Sequence, residues 1–123
     1  MTIFIFGNPD LAQDSLPLEM LSELRKRFPR LRFEVKDPNE EWDIPEELVI
    51  IDTIVGTDDV TVFNSLSAFA PAPRITMHDF DAFANLRYLE KLGRLKSVHI
   101  IGVPQGLEIS GAITQVSALL AQL

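Results

Sequence analysis

The sequence predicts an α/β fold: a three-layer sandwich with helices on both faces of a mainly parallel sheet, one short strand being a candidate for antiparallel pairing. Two observations carry this. Short, wholly apolar runs recur and are closed by turn residues or acids: Ile3-Phe4-Ile5-Phe6 before Gly7-Asn8-Pro9, Leu48-Val49-Ile50-Ile51 before Asp52, and Val98 to Val103, with Gly102 and Pro104 at its end. Strands buried on both faces of a parallel sheet have this appearance. Between the runs the apolar spacing changes to the helical period, and strands separated by helices imply crossover connections. At 123 residues the chain has the size of one domain, taken as 1–123.

The first run organises the rest, because the turn after it lies at the carboxyl edge of the sheet, where open α/β folds place ligands. From Ser15 onward, Leu16, Met20, Leu21, Leu24 and Phe28 fall at helical spacing. Asp14-Ser15 offers an N-cap, Pro17 suits the first turn and Arg25-Lys26-Arg27 complements the negative helix end. Pro29 stops this helix. Leu31 to Val35 alternates apolar and charged, as an edge or half-exposed strand does. Asp37 to Glu47 contains Pro38 and Pro45 and reads as a loop anchored on the core by Trp42.

Leu48 to Ile51 is a second buried strand, ending in Asp52, with Thr53-Ile54-Val55 leading on to Gly56. Val60 to Phe63 reads as a short strand and Ser65 to Pro73 as irregular, since Pro71 and Pro73 oppose a helix. Arg74 to Met77 is another short strand; this pair supplies the antiparallel candidate. Phe80, Phe83, Leu86, Leu89 and Leu92 give a helix closed by Gly93. Val98 to Val103 is the third buried strand. Gly111 to Leu123 is a final amphipathic helix with Ile113, Val116, Leu119 and Leu120 inward.

Composition excludes several classes of function. Hydrophobic residues make up 46% of the chain and mean hydropathy is +0.13, ample for a core and unlike a disordered chain. No apolar stretch reaches the roughly 18–20 residues that span a bilayer, and residues 2–6 lack the basic leader of a secretory signal. The expected location is therefore the cytoplasm, with no membrane partner. The absence of cysteine removes disulfides, thiolate catalysis and thiolate metal sites. A net charge of −7 argues against nucleic acid as a partner, since such binding rests on a basic surface. The basic run Arg25 to Lys36 and the acidic run Asp37 to Glu47 read as solvated surface, the alternative being a docking patch for a protein partner.

Three residues distant in sequence share one expected address. Asp14 lies in the turn after the first strand, Asp52 ends the second buried strand, and His78 follows Arg74 to Met77. Parallel strands bring their carboxyl ends together, and two carboxylates with an imidazole would make an oxygen/nitrogen site that leaves coordination positions open. A carboxylate at the end of an apolar strand is costly without compensation, which makes Asp52 the most telling of the three. Taken singly, Asp52 also fits a helix cap or a backbone hydrogen-bond acceptor, Asp14 a cap, and His78 a capping or packed residue. His99, inside Val98-His99-Ile100-Ile101, reads as an edge or satisfied core residue. Asp10, Asp79 and Asp81 read as turn or cap residues, Asp79 or Asp81 being also placed to orient His78. There is no phosphate-binding G-x-x-x-x-G-K-[ST] loop, no dinucleotide-binding glycine spacing and no G-x-S-x-G elbow.

Gly7-Asn8 followed six residues on by Asp14 resembles the opening of the hydrogenase maturation proteases, endopeptidases that trim the large subunit of nickel–iron hydrogenases. Val49-Ile50-Ile51-Asp52 is similar to that family's second ligand-bearing strand, Thr76-Met77-His78-Asp79 to the segment carrying its histidine, and Ile100 to Pro104 with Ser110 to its last strand and helix. The chain departs from the pattern where Phe6 replaces a glycine, where Gln13-Asp14-Ser15 replaces an acidic pair with glycine, and in being shorter than is typical. The resemblance implies a phosphorylase/hydrolase-like sandwich and a peptidase that removes the C-terminal extension of a nickel-loaded hydrogenase large-subunit precursor. Asp14, Asp52 and His78 would grip the nickel supplied by that substrate, with zinc or cadmium able to substitute. Asp14 or Asp52 would act as the base, and Gly7 and Asn8 would contact substrate. The alternatives are a non-catalytic relative that binds a metallated partner as an assembly factor, and a small-molecule or phosphate-binding α/β module.

Overall fold

The computed structural model describes residues 2–7, 15–36, 45–55, 57–65 and 86–122. Their strands are β1 (Thr2–Ile5), β2 (Arg32–Val35), β3 (Glu47–Ile54), β4 (Thr61–Phe63) and β5 (Ser97–Pro104). Their helices are α1 (Leu16–Arg27), α2 (residues 86–91) and α3 (Ile109–Leu120). The strands form one sheet in the order β2-β1-β3-β5-β4. β1 pairs in parallel with β2 and β3, and β3 with β5, while β4 runs antiparallel to β5. The sheet is thus mainly parallel with one antiparallel edge strand, as expected.

Alternation along the strands divides the core in two. Ile3, Ile5, Val49, Ile51, Ile101 and Val103 face α1 and α3, whose Met20, Leu24, Ala112 and Val116 close over them. Phe4, Phe6, Leu48, Ile50, Ile54 and Ile100 face the other way and are covered by Leu86 and Leu95, with Leu89 partly buried beside them. Because both faces are shut from water, the strands read as unbroken apolar runs rather than alternating ones.

Local signals account for the helix ends. The Ser15 carbonyl accepts from the N–H groups of Leu18 and Glu19, Pro17 lies in the first turn, and the Phe28 N–H closes on Leu24. Arg25 Nη2 donates to the Phe33 carbonyl at 3.2 Å, tying the end of α1 to β2. α3 begins two residues earlier than Gly111, with Glu108 as N-cap; Ser110, inside its first turn, donates to Glu108 Oε1 at 3.0 Å.

α2 ends at Gly93, whose φ is +75°. The Gly93 N–H bonds to the Glu90 carbonyl and the Arg94 N–H reaches back to Leu89, the paired bonds of a Schellman cap. A Cβ on Gly93 would meet nothing within 4 Å, so only backbone strain opposes a side chain there. Gly93→Ala is expected to lower stability by about 1 kcal/mol, measured by denaturant unfolding.

β2 is an edge strand, as its alternation predicts. Glu34 bonds both Arg32 (2.7 Å) and Lys36 (3.2 Å), and a charged edge discourages pairing with another chain.

The boundaries of β3 and β5 differ from the sequence reading where the two strands pair. β3 starts at Glu47, which had been placed in the loop, and continues past Asp52 to Ile54. β5 includes Gly102 and Pro104 instead of stopping at them. One cause explains the shared ends: Asp52, Thr53 and Ile54 pair with Gly102, Val103 and Pro104, so each strand supplies the other's ladder. Trp42, the irregular stretch after Ser65 and the expected strand Arg74 to Met77 lie outside the described residues. No helix among the described residues is long and apolar enough to cross a membrane.

Candidate functional site

β1, β2, β3 and β5 run the same way, so their carboxyl ends share one edge. A chain that leaves a parallel strand there must be returned by its connection, so α1, between β1 and β2, also starts at this edge. The edge gathers Gly7 after β1, Lys36 after β2, the last residues of β3, and Pro104.

Asp52 lies one step inside that edge. The Phe6 N–H donates to the Ile51 carbonyl and the Lys36 N–H to the Ile5 carbonyl, which extends both ladders by one residue. Lys36, Phe6, Asp52 and Gly102 therefore form a row across four strands, on the face that α2 covers. Within this row Asp52 is completely buried. Its Oδ1 accepts from the Thr53 N–H at 2.8 Å. The expectation that Asp52 ends its strand is corrected: the ladder with β5 carries β3 two residues further. The backbone-acceptor reading of Asp52 is met at one carboxylate oxygen, and this bond fixes the orientation of the whole group.

The neighbours of Asp52 shape its surroundings. Phe6, fully buried, flanks it on β1. On β5 stands Gly102, where an added Cβ would come within 2.7 Å of Ile54 Cδ1 and 2.9 Å of its Cγ2. The Ile54 side chain thus occupies the space beside Asp52 that a residue-102 side chain would take. At the β2 end of the row, the Lys36 ammonium lies 5.0 Å from the centre of the Phe4 ring and pairs with Glu34. The sheet presents a buried carboxyl group flanked by Phe6 and Ile54, with a partly neutralised cation two strands away. In such shielded surroundings a carboxylate interacts with a cation far more strongly than in water.

Gly7, half-buried, follows β1 at the same edge, beside the strand that bears Asp52. Asn8, Asp14 and His78 lie outside the described residues, as do Asp10, Asp79 and Asp81. Ser15, the neighbour of Asp14, opens α1. Among the described residues no group of three or more His, Cys, Asp or Glu side chains could hold a metal ion.

His99 belongs elsewhere. It sits on β5 between β3 and β4 and so is not at an edge, but it is satisfied: Nδ1 lies 3.0 Å from Asn64 Oδ1. With Asn64 it lines a cavity of about 190 Å³ bounded by Val49, Val62, Ile101 and Leu119. That cavity is on the α3 face of the sheet, away from the Asp52 row.

Sequence reasoning named Asp52 but missed what frames it. Gly102 was read as a strand end. A glycine inside an apolar strand pattern also signals close approach by a neighbour, and that was the available clue. The bond from the Thr53 N–H had no signal in the sequence.

Among solved structures the chain is similar to the NiFe hydrogenase maturation protease HybD from Thermococcus kodakarensis. The TM-score is 0.66 at 20% identity, over 99% of this chain and 98% of that one. It is also similar to the hydrogenase maturating endopeptidase HybD from E. coli, with a TM-score of 0.67 at 18% identity over 99% and 93% of the two chains. A looser likeness, with a TM-score of 0.55 at 13% identity, is to an uncharacterized protein from Wolinella succinogenes. No protein-family model matches the sequence, and no curated protein does. At these identities the likeness establishes the α/β fold, shared along nearly the whole length of each HybD chain.

Proposed function

We propose that this chain is a hydrogenase maturation endopeptidase, removing the C-terminal extension of a nickel-loaded large-subunit precursor. The observation that carries the reading is Asp52: a buried carboxylate held by a backbone N–H, one step inside the carboxyl edge of the sheet. Burying a carboxylate costs several kcal/mol unless it is compensated, and at this edge α/β folds bind their ligands. The HybD fold supports the assignment by analogy, as does the order Gly7-Asn8, Asp14, Asp52, His78 along the sequence.

In this reading Asp14, Asp52 and His78 bind the nickel that the precursor carries, and so fix the scissile peptide. Two carboxylates and an imidazole suit a divalent borderline ion, and three ligands leave positions for the groups the substrate brings. Asp52, anchored through Oδ1, is a rigid ligand. Asp14 or Asp52 takes the proton of the attacking water as the carbonyl is opened. Gly7 and Asn8, at the end of β1, contact the substrate backbone.

The test is incubation with nickel-loaded precursor bearing its extension, followed by mass spectrometry. A shortened large subunit is expected, with nickel-free precursor left intact. A stable complex without clipping would replace the peptidase by an assembly factor. A melting temperature raised by phosphate and not by nickel would replace both by a phosphate-binding module.

A further inference from the structure

Of the large apolar side chains exposed among the described residues, two sit together on α2 and the residue that follows it: Tyr88, 61% exposed, and Leu92, 52% exposed. They are four residues apart and so share one face of the helical path. Arg87 and Lys91 lie beside them with the same spacing, and Arg94 follows Gly93. From residue 86 to residue 96 there are four cations against the single carboxylate of Glu90, in a chain of net charge −7. Several other cations are engaged: Arg25 with the Phe33 carbonyl, Arg27 with Glu23, Arg32 and Lys36 with Glu34, Lys96 with Glu46; Lys26 and Arg30, at and just after the end of α1, are in none of these ion pairs. None of the ion pairs among the described residues involves Arg87, Lys91 or Arg94. Lys91 and Arg94 complement the negative end of α2, but that accounts neither for Arg87 nor for the exposure of Tyr88 and Leu92.

We propose that this face of α2 is a docking surface for an acidic segment of the hydrogenase precursor, one that carries carboxylates around an apolar anchor. The proposal rests on the function assigned above. Tyr and Arg are the residue types that dominate binding at interfaces. With a net charge of −7 much of the rest of the surface disfavours such a segment, the basic run Arg25 to Lys36 excepted, so the patch biases the orientation of approach as well as its rate. α2 covers the same face of the sheet that bears Asp52, which places the docked segment on the side of the candidate site. The same acidity disfavours an anionic membrane as the occupant.

The experiment measures binding of nickel-loaded precursor to the Asp52→Asn protein, in which cleavage is blocked. Arg87→Glu/Lys91→Glu/Arg94→Glu is expected to weaken binding at least about tenfold, mainly through a slower on-rate, with the difference shrinking at high salt. Tyr88→Ser/Leu92→Ser is expected to weaken it without changing the salt dependence. In the cleavage-competent protein the charge reversal raises KM and leaves kcat unchanged. Unaltered affinity in both variants overturns the proposal. If the precursor neither binds nor is cleaved, the function assigned above fails, and a poly(Glu,Tyr) copolymer then decides the surface. Copolymer binding lost on charge reversal supports it, and binding that is absent or unchanged overturns it. Binding to phosphatidylglycerol vesicles in preference to the copolymer overturns it in favour of a lipid surface.

Discussion

Asp52→Asn is expected to slow precursor processing by about 10³-fold, within the range that general acid–base groups contribute, while leaving the fold intact. Asparagine has the shape of aspartate, and its amide oxygen can still accept the 2.8 Å bond from the Thr53 N–H. What it loses is the charge, and with it the capacity to act as a base or an anionic ligand. Asp52 is completely buried, and a neutral amide is less costly to bury than a carboxylate. The melting temperature should therefore stay close to that of the wild type. Loss of activity without loss of stability marks a charge kept for function; a structural aspartate would give the reverse. Asp14→Asn and His78→Ala should likewise abolish nickel-dependent processing in a folded protein. Combining either with Asp52→Asn should cost little more, because groups that act as a unit are not additive. Processing by Asp52→Asn at the wild-type rate would remove this carboxylate from the reaction.

The parts of the fold legible in the sequence are those whose signal is local. Ile3 to Phe6 and Leu48 to Ile51 could be read because burial on both faces leaves no polar residue in a strand, and Gly93 because a left-handed helix end selects glycine. Pairing between distant segments was not legible. The β-branched Thr53-Ile54-Val55 follows Asp52 directly, but that β3 stays paired as far as Ile54 depends on Val103 and Pro104, some fifty positions away in the ladder. His99 was placed at an edge or in the core for the same reason: only the pairing of β4 with β5 puts it inside the sheet. At the candidate site the sequence singles out Asp52 by its cost in an apolar run, and Gly7 by the turn that closes β1. It did not reveal the glycine across the ladder, since the meaning of Gly102 depends on which residue leans over it.

Gly102→Ala gives the largest expected effect on stability. Its Cβ would stand 2.7, 2.9 and 3.1 Å from Ile54 Cδ1, Cγ2 and Cγ1, and both residues are buried inside paired strands. Neither backbone can withdraw without breaking the ladder that joins Asp52, Thr53 and Ile54 to β5, so the Ile54 side chain must leave its rotamer. Overpacking of this kind costs about 1–3 kcal/mol, a fall in melting temperature of roughly 4–12 °C for a chain of this size. Ile54→Ala alone should cost about 2–5 kcal/mol by leaving a cavity. In the double variant the new methyl enters that cavity and meets none of the three atoms it would have struck. The double loss should therefore fall short of the sum of the single losses by at least about 1 kcal/mol, measured as a double-mutant cycle in denaturant. Because Gly102 is the row neighbour of Asp52, the displaced Ile54 side chain also disturbs the frame of the carboxylate. Processing by Gly102→Ala should then be slowed well below its melting temperature, where the protein is fully folded, and restored in part by Ile54→Val, which removes the nearest clashing atom. Wild-type melting in Gly102→Ala would mean that Ile54 has room to move and that the row around Asp52 is not close-packed.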